Sequence, residues 1–539
     1  MAAVWYIFLV FLITSIQDPH NSIPAGVESA KYWKERYASR RASNRVVSNQ
    51  LELIISRQRG RIQATEPIVR FGFDAKDVLL RNLDIPDSAE DVLARRYWSL
   101  ATLNSIQRWK GIGVWMSIAS GNRVSLEEAL GAFDMFVLDD RFGDIQHISA
   151  RLDRLAGECS SDLPEFENLT MRQKAVEICR FVRARDIVGI DSNDDYHILR
   201  NRFIGLALFD SEHQALPIVS VAIYCCLAQR LGVNANPCNF PFHVHAVIQG
   251  NELHRNLDGK PVEPNENDDR MFLDPFSNDD EVSESRLRDL LNQSGVRDHE
   301  QYLGASPIAE TILRSARNIA NSVQNSETND PPRRSPLSSY HSGLPDTDSA
   351  FYGALWAMIL FDPIRRRTYL HHIVSYFQQG FEVDVGLIEK FILPTFEDFP
   401  EHPKLIELAS LIRRWDETAK PITVRGPNAR NVKYRVGQVF RHRRYEYEAM
   451  IVGWDDRCQE SEDWIIQMNV DSLPRGREQS FYHVVVSDKS TRYVAEENIR
   501  IDTGHPSRRL MTLAGRYFKR WDQEKGAFIS NVRDEYPDD

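Results

Sequence analysis

A stretch near the C-terminal end, residues 432–499, restricts the fold more than any other part of this 539-residue chain. It contains four runs rich in Val, Ile, Tyr and Trp, which are separated by polar and charged connections, and none of the runs is long enough for a helix-dominated domain. Short strands at this spacing are typical of a small antiparallel β-barrel of fewer than about a hundred residues. We therefore predict a C-terminal antiparallel β-barrel over residues 432–503.

The motifs of this stretch resemble a known family. The sequences HRRY, GWD, FYHVVV and YVAEENI occur in the order found in the YccV/HspQ-type hemimethylated DNA-binding domain. The resemblance implies DNA as a ligand. It also implies a binding surface built from residues of these motifs, namely Arg441, His442, Arg443, Arg444, Tyr445, Trp454, Tyr482 and His483.

The charge of the stretch argues against DNA. Residues 432–502 contain 11 Lys or Arg against 13 Asp or Glu, a net charge of −2, and the whole chain carries −11. A protein binds a DNA duplex mainly by neutralising phosphates with a basic surface, which this balance does not supply. The Arg441–Arg444 cluster still allows a small anionic site. A protein-recognition or structural module is favoured, and its barrel core would contain Trp454, Trp464, Phe481 and Tyr493.

A second block, residues 201–276, carries the candidate chemistry. An Ala-Leu-Pro sequence leads into an apolar helix at Val219–Leu231, a strand follows with His243 and His245 on one face, and a short strand ends at Asp274. A helix, a histidine and a carboxylate in this order are typical of a papain-like or transglutaminase triad, in which the helix carries the nucleophile.

This block and the helices before it resemble the SirB-type transglutaminase-like family through SLEEALGAFD, LPI, NFP-x-H and DPF. The resemblance places His243 at the base, Asp274 at the orienting acid and Val219 where the nucleophile belongs. A valine side chain has no lone pair with which to attack a carbonyl carbon. Ser220 lies about 100° further around the helix, and the Cys225–Cys226 pair begins about 9 Å further along it. We therefore predict a pseudoenzyme.

The same residues also have structural interpretations. His243 can be a half-buried strand histidine, the two cysteines can be core residues, and Asp274 can shape a turn. Phe242 replaces the glycine that usually precedes the family's histidine, and we expect it to crowd a catalytic pocket. His243, His245 and His254 could hold a metal ion, but a His-x-His pair alone is too weak a pattern. We predict neither a metal nor a cofactor.

The rest of the chain divides by composition into further regions. We predict an apolar N-terminal segment at 1–27, a helical region at 28–119, a transglutaminase-like α+β domain at 120–310, a disordered linker at 320–349, a helical appendage at 350–420 and a charged tail at 504–539. Ser125 is expected to cap the helix SLEEALGAFDMFVL, which has Glu127 and Glu128 in its first turn. The expected fold class is a multi-domain α+β protein, mostly helical up to the small C-terminal barrel.

Targeting signals and cysteines favour an intracellular protein. The apolar run Ala2–Ile16 is shorter than the roughly 20 residues of a membrane span and has no Lys or Arg before it, so a buried helix or a mis-assigned start is favoured over secretion or anchoring. The six cysteines form no Cys-x-x-Cys motif, which indicates reduced thiols in the cytoplasm or nucleus. No membrane association is expected.

The combination of these two domains, together with the sequences FGFDAKDVLL and VLARRYWSL, resembles the F-box only protein 21-like family. That family implies a protein-binding adaptor, in which an N-terminal F-box docks on the Skp adaptor of a cullin-type ubiquitin ligase. Residues 1–27 leave no room for a complete F-box, so we expect it to be missing or truncated. Our functional prediction is a non-catalytic adaptor that recognises protein clients, and the main alternative is a DNA-binding protein. A third interpretation is a hydrolase or transferase that uses His243 and Asp274 with a nucleophile not identified in the sequence; Val219 counts against it.

Overall fold

The computed structural model describes ten stretches of the chain. They are residues 30–137, 144–163, 165–192, 196–210, 213–250, 255–262, 269–329, 345–425, 432–530 and 535–539. The predicted apolar segment at 1–27 and His254 lie outside these described residues. The predicted α+β class is confirmed, because helices dominate the chain and short antiparallel sheets accompany them.

The helices are α1 (Ala30–Ser56), α2 (Arg61–Phe71), α3 (Lys76–Leu83), α4 (Val92–Ala119), α5 (Leu126–Val137), α6 (Ile145–Asp162), α7 (Met171–Ala184), α8 (Ile204–Phe209), α9 (Pro217–Arg230), α10 (Glu284–Gln293), α11 (Glu300–Leu303), α12 (Ile308–Asn329), α13 (Thr347–Phe361), α14 (Arg366–Gln379), α15 (Val385–Leu387), α16 (Leu393–Thr395), α17 (His402–Glu417), α18 (Glu462–Gln467) and α19 (Arg508–Ala514). The strands are β1 (Ala235–Pro237), β2 (Ala246–Gln249), β3 (Arg270–Leu273), β4 (Glu281–Val282), β5 (Val439–His442), β6 (Glu448–Asp455), β7 (Phe481–Val486), β8 (Thr491–Ala495), β9 (Ile499–Ile501), β10 (Phe518–Asp522) and β11 (Ala527–Ser530). Among the described residues, no helix is both long and apolar enough to cross a bilayer.

These elements form two compact units. Within the described residues, the first unit contains 107–329 and 345–376, and the second contains 30–106 and 377–539. The predicted helical appendage at 350–420 is therefore not one body, since its first part belongs to the first unit and its second part to the second unit. The predicted helical region at 28–119 is divided in the same way, within α4.

In the first unit, helices surround one apolar helix and a four-stranded sheet. Every residue of α9 from Pro217 to Ala228 is buried, which agrees with its nearly continuous apolar sequence. The sheet has the order β1-β2-β3-β4 with antiparallel neighbours. Helix α5 begins as predicted, because Ser125 Oγ accepts the N–H of Glu128 at 3.3 Å and Glu128 Oε2 accepts the N–H of Ser125 at 3.1 Å.

The predicted disordered linker at 320–349 is too long. Helix α12 continues to Asn329 and α13 begins at Thr347, so both ends of the predicted linker are helical, and residues 330–344 lie outside the described residues. Helix α13 packs on α5 through an edge-on contact between the rings of Phe136 and Tyr352, whose centres are 5.9 Å apart. A Cβ atom at Gly353 would lie 2.9 Å from the Phe136 ring, so this glycine permits the close approach.

In the second unit, the C-terminal strands form an antiparallel sheet of the order β8-β7-β6-β5-β9. In the described residues its edge strands β8 and β9 are not paired with each other, so closure into a barrel is not confirmed. Trp454 and Phe481 are buried as predicted. Trp464 and Tyr493 are only partly buried and pack against a smaller separate cluster that contains Phe481.

The predicted charged tail at 504–539 is instead folded in its described residues, 504–530 and 535–539, which belong to the second unit. It contains α19 and the antiparallel hairpin β10–β11, whose Phe518 and Phe528 rings stack 5.2 Å apart in the same core as Trp454. The N–H of Phe528 donates to the carbonyl of Gly437 at 2.8 Å. The Lys and Arg residues of this region lower its average hydrophobicity, so the apolar face of the β10–β11 hairpin was not predicted from the sequence.

Candidate functional site

The antiparallel pairing of β2 with β3 determines where His243 and Asp274 lie. Ala246 pairs with Leu273, so the segment just before β2 lies beside the residue just after β3. His243 Nε2 is 2.9 Å from Asp274 Oδ2, an ion-pair distance, although the two groups are not aligned as a hydrogen bond. The predicted base and acid are thus brought together. His243 and His245 precede β2 in an irregular segment, however, so their predicted place on a strand was wrong.

Asp274 is a buried carboxylate with several polar neighbours. Burial by itself raises the pKa of Asp274, but the imidazole of His243 and the interactions with Ser277 and His245 outweigh it and hold the pKa below its ordinary value. The amide of Ser277 lies 3.4 Å from Asp274 Oδ1. Asp274 therefore carries its negative charge at neutral pH beside His243, whose side chain is 30% exposed.

Val219 lies in the first turn of α9 and is 2% exposed. Its neighbour Ser220 is fully buried, and the Ser220 Oγ donates to the carbonyl of Ala215 at 2.7 Å and accepts the N–H of Gly189 at 3.1 Å. Both hydrogen-bonding functions of this hydroxyl are thus used by the backbone.

The other candidate nucleophiles lie deep in α9. Cys225 and Cys226 are fully buried, and burial raises the pKa of both thiols well above the ordinary value, which keeps them protonated. Phe242, expected to crowd a pocket, is instead 63% exposed, and its ring meets the Phe240 ring edge-on at 6.0 Å.

A cavity of about 130 Å³ adjoins the His–Asp pair. Phe276 lines it, and the Phe276 ring also lies 5.8 Å from the ring of His243. Gly189, whose N–H binds Ser220, lines the cavity as well, together with Arg183 and His213. No sequence motif indicated this cavity, because its walls come from three separate parts of the chain.

Of the three arginines in the predicted basic cluster of the second unit, Arg441 is paired with a carboxylate, and the other two contact uncharged groups. Arg441 Nε is 2.9 Å from Asp502 Oδ2, and Arg443 Nε donates to the carbonyl of Ile499 at 3.2 Å. The guanidinium of Arg444 lies over the exposed Tyr445 ring at 5.3 Å. These side chains lie near the β5–β6 turn.

His442 stabilises this turn from within. It is 5% exposed, and its Nδ1 accepts the N–H groups of Arg444 at 3.1 Å and Tyr445 at 3.2 Å. Burial, with the charges of Arg492 and Arg444, lowers the pKa of His442, so the imidazole adds no positive charge to the surface at neutral pH.

The remaining predicted residues lie at the other end of β6. Trp454 pairs with Tyr482, and Gly453 pairs with His483. Trp454 lies six residues, or about 20 Å, along β6 from Glu448, which is the residue that pairs with Arg441. Trp454 and Tyr482 are buried, and Tyr482 Oη accepts the N–H of Tyr434 at 3.0 Å. His483 is exposed and lies 3.0 Å from Asp455. The eight predicted binding residues therefore do not form one surface.

A carboxylate clamp near Trp454 was missed by the sequence prediction. Asp539 is bound by Arg425 Nε at 2.6 Å, by Trp454 Nε1 at 2.8 Å and by the N–H of Val436 at 3.2 Å, and its side chain is 1% exposed. Arg425 also donates to the carbonyls of Val432 and Tyr434 at 2.8 and 2.7 Å. Since these groups are separated by about a hundred residues in sequence, no local pattern could have joined them.

Comparison with known families identifies the two domains. Residues 146–317 match the family described as the transglutaminase-like superfamily, and residues 432–525 match the family described as hemimethylated DNA-binding protein YccV like. The chain therefore contains a transglutaminase-like domain followed by a YccV-like domain, as the sequence motifs indicated.

The chain as a whole is similar to proteins named F-box only protein 21. Those of Homo sapiens, Mus musculus and Pongo abelii are each 24% identical to it over 400 residues, which is 71% of this chain. The match spans 57 to 58% of the length of these relatives. No solved structure matches the chain significantly.

Proposed function

We propose that this chain is a non-catalytic adaptor that recognises protein clients, similar in role to the substrate receptor of an SCF-type ubiquitin ligase. The observation that carries the proposal is the composition of the transglutaminase-like site. The His243–Asp274 pair is retained, but the helix position that requires a nucleophile holds buried Val219. The hydroxyl of Ser220 is bound to the backbone, and the thiols of the Cys225–Cys226 pair are buried and protonated.

The names of the relatives support the adaptor role, because F-box only proteins are named for an adaptor module. In this proposal the Skp adaptor and the cullin are partners of the complete assembly, and the clients bind the two domains. The six cysteines are free thiols, which is compatible with the reduced environment of the cytoplasm or nucleus.

The first experiment is affinity purification of this chain from its own cells, with mass spectrometry of the proteins retained. We expect a reproducible set of clients, with or without the Skp adaptor and cullin. The variant His243→Ala removes the partly exposed histidine at the position of the catalytic base. We expect it to retain the same clients in the same amounts, provided that circular dichroism shows an unchanged fold. An exposed histidine, changed by His372→Gln, serves as the matched control.

An activity assay tests the non-catalytic part of the proposal. The purified chain is incubated with a glutamine-containing protein and a biotin-labelled amine, and separately with acyl-ester substrates. We expect no product above a heat-inactivated sample. Turnover that disappears in His243→Ala and persists in His372→Gln would contradict the proposal.

A second candidate function is binding of duplex DNA, which is favoured by the description of the family that matches residues 432–525. The net charge of −2 and the pairing of Arg441 with Asp502 weigh against it. Binding through phosphates would fall steeply with salt and with Arg444→Glu, whose guanidinium lies on the surface over Tyr445. Arg366→Gln, on a helix of the other unit, is the control. Under the adaptor proposal we expect no salt-dependent binding by either protein.

A further inference from the structure

Three potential metal ligands converge at one end of the β2–β3 ladder. One ligand atom from each of His243, His245 and Asp274 lies within 4.8 Å of the other two. The register explains the convergence, because Ala246 pairs with Leu273 and the next positions outward are His245 and Asp274. The rings of the two histidines have centres 5.1 Å apart, so both face the same space beside the carboxylate.

One nitrogen of this cluster lacks a hydrogen-bond partner. His245 Nδ1 is a buried atom without a partner in hydrogen-bond geometry, and His245 as a residue is only 7% exposed. His243 Nε2, by contrast, has the carboxylate of Asp274 at 2.9 Å. A buried polar atom normally has a partner, and an exception requires an explanation such as a bound ion. The unpartnered nitrogen of His245 is the observation that separates this cluster from an ordinary His–Asp pair.

The charges of the cluster are suited to a cation. Asp274 supplies one negative charge. The positive charge of Arg314 also acts on His245, and the guanidinium of Arg314 donates to the carbonyls of Phe240 and Pro241.

We propose that His243, His245 and Asp274 form a binding site for a divalent transition-metal ion of the Zn²⁺ type. Two imidazole nitrogens and one carboxylate oxygen are a common ligand set for such ions, and they leave a coordination position for water. Bonds of about 2.1 Å in a tetrahedral site place ligand atoms roughly 3.4 Å apart. The His243–Asp274 distance of 2.9 Å is close to that value, so closure requires mainly a movement of His245.

The structure permits this movement. His243 and His245 lie in the irregular segment before β2. The carbonyl of His245 accepts the N–H of Cys238 at 2.7 Å, which holds the backbone, so the movement is a rotation of the His245 imidazole about its side-chain bonds. Phe242, between Pro241 and His243, is 63% exposed and does not fill the space. The site goes beyond the proposed adaptor function and does not depend on it, since metal binding is measured without any client.

The test uses the whole chain, stripped with a chelator and titrated with ZnCl₂ against a coloured competing chelator. We expect one tight site per chain. His245→Ala and Asp274→Asn should each weaken it at least about tenfold, because losing even an outer-shell partner of a metal ligand typically costs about 10- to 100-fold in affinity and these residues are direct ligands. The control His372→Gln removes an exposed histidine and should bind like the wild type. Loss of the tight site in His372→Gln, or equal affinity in all four proteins, would overturn the proposal.

Cobalt gives a second measurement that does not depend on the core variants folding. Co²⁺ at a tetrahedral nitrogen and oxygen site produces an intense visible absorption, whereas Co²⁺ bound loosely to surface residues does not. We expect this absorption in the wild type and its loss in His243→Ala, a variant whose fold is checked by circular dichroism because the change removes the partner of Asp274. Absence of the absorption in the folded wild type would also overturn the proposal.

Discussion

The carboxylate of Asp539 is predicted to hold the C-terminal residues against the sheet of the second unit. Its two oxygens accept hydrogen bonds from Arg425, Trp454 and Val436 in a site where Asp539 is 1% exposed. Asp539→Ala leaves three buried donors without their partner. An unsatisfied buried donor costs about 1–3 kcal/mol, and partial entry of water reduces the sum, so we expect a loss of about 2–4 kcal/mol of local stability.

Hydrogen–deuterium exchange followed by mass spectrometry measures this loss directly, because the N–H of Val436 is itself one of the three donors. A loss of 2 kcal/mol corresponds to about a 30-fold faster exchange when local opening limits exchange. Peptides covering residues 432–440 should show the change, and peptides from α9 should not. A local readout is preferable to a global free energy of unfolding, because a chain with two compact units is not expected to unfold in one step.

Trp454→Phe is the matched comparison, since it removes one donor and preserves most of the ring packing. We expect about 1 kcal/mol, or roughly fivefold faster exchange. The double variant should lose less than the sum of the two single losses, because both changes remove the same hydrogen bond. Exchange of residues 432–440 in Asp539→Ala within twofold of the wild type, or strict additivity in the double variant, would refute the clamp.

Two further predictions concern buried positions of the two units. Burial raises the pKa of Asp134 from 3.8 to about 8, so the folded protein keeps a proton that the unfolded chain releases, and the stability due to this group declines as the pH rises from about 4 to 8. Asp134→Asn keeps a side-chain oxygen that accepts the N–H groups of Gly205 and Leu206. The variant should unfold at a higher temperature than the wild type at pH 8 but not at pH 4. Unfolding temperatures of the two proteins that change in parallel with pH would contradict this prediction. Gly437 has a φ of 92°, and an added Cβ would lie 2.2 Å from the carbonyl oxygen of Phe528. Gly437→Ala should therefore lose at least about 2 kcal/mol of stability and shift tryptophan fluorescence to longer wavelength as the Trp521 ring becomes exposed to water. Gly526→Ala has a positive φ but open space around the added Cβ, so it should lose less stability.

The sequence predicted those parts of the fold that local patterns specify. Alternation of apolar residues located the strands of the YccV-like sheet, and a capping motif located the start of α5. The hairpin β10–β11 was missed because a register shift between Phe518 and Arg520 breaks the alternation, and because Lys and Arg dilute the apolar signal. The turn glycine Gly526, with a φ of 57°, was the signal that could have found it.

Contacts between distant parts of the chain were beyond the reach of the sequence patterns. The order of His243 and Asp274 predicted their pairing, because a family resemblance carried the long-range information that spacing lacks. No such resemblance covered Asp539, which reaches Trp454 from 85 residues away. The prediction that the eight binding residues form a single surface was wrong for the same reason. That a residue belongs to a family motif does not tell at which end of β6 its side chain lies.

The retained His243–Asp274 pair does not by itself indicate chemistry. A buried carboxylate needs a partner, and removing His243 would leave the Asp274 charge with only its contacts from Ser277 and the neighbouring His245, at a cost of several kcal/mol. Replacing a nucleophile by Val219 carries no such cost, because an apolar side chain suits the buried first turn of α9. The fold therefore requires the pair whether or not a reaction occurs. It does not require the unpartnered nitrogen of His245, which a phenylalanine or leucine would avoid, and so the function of this site is best tested at His245.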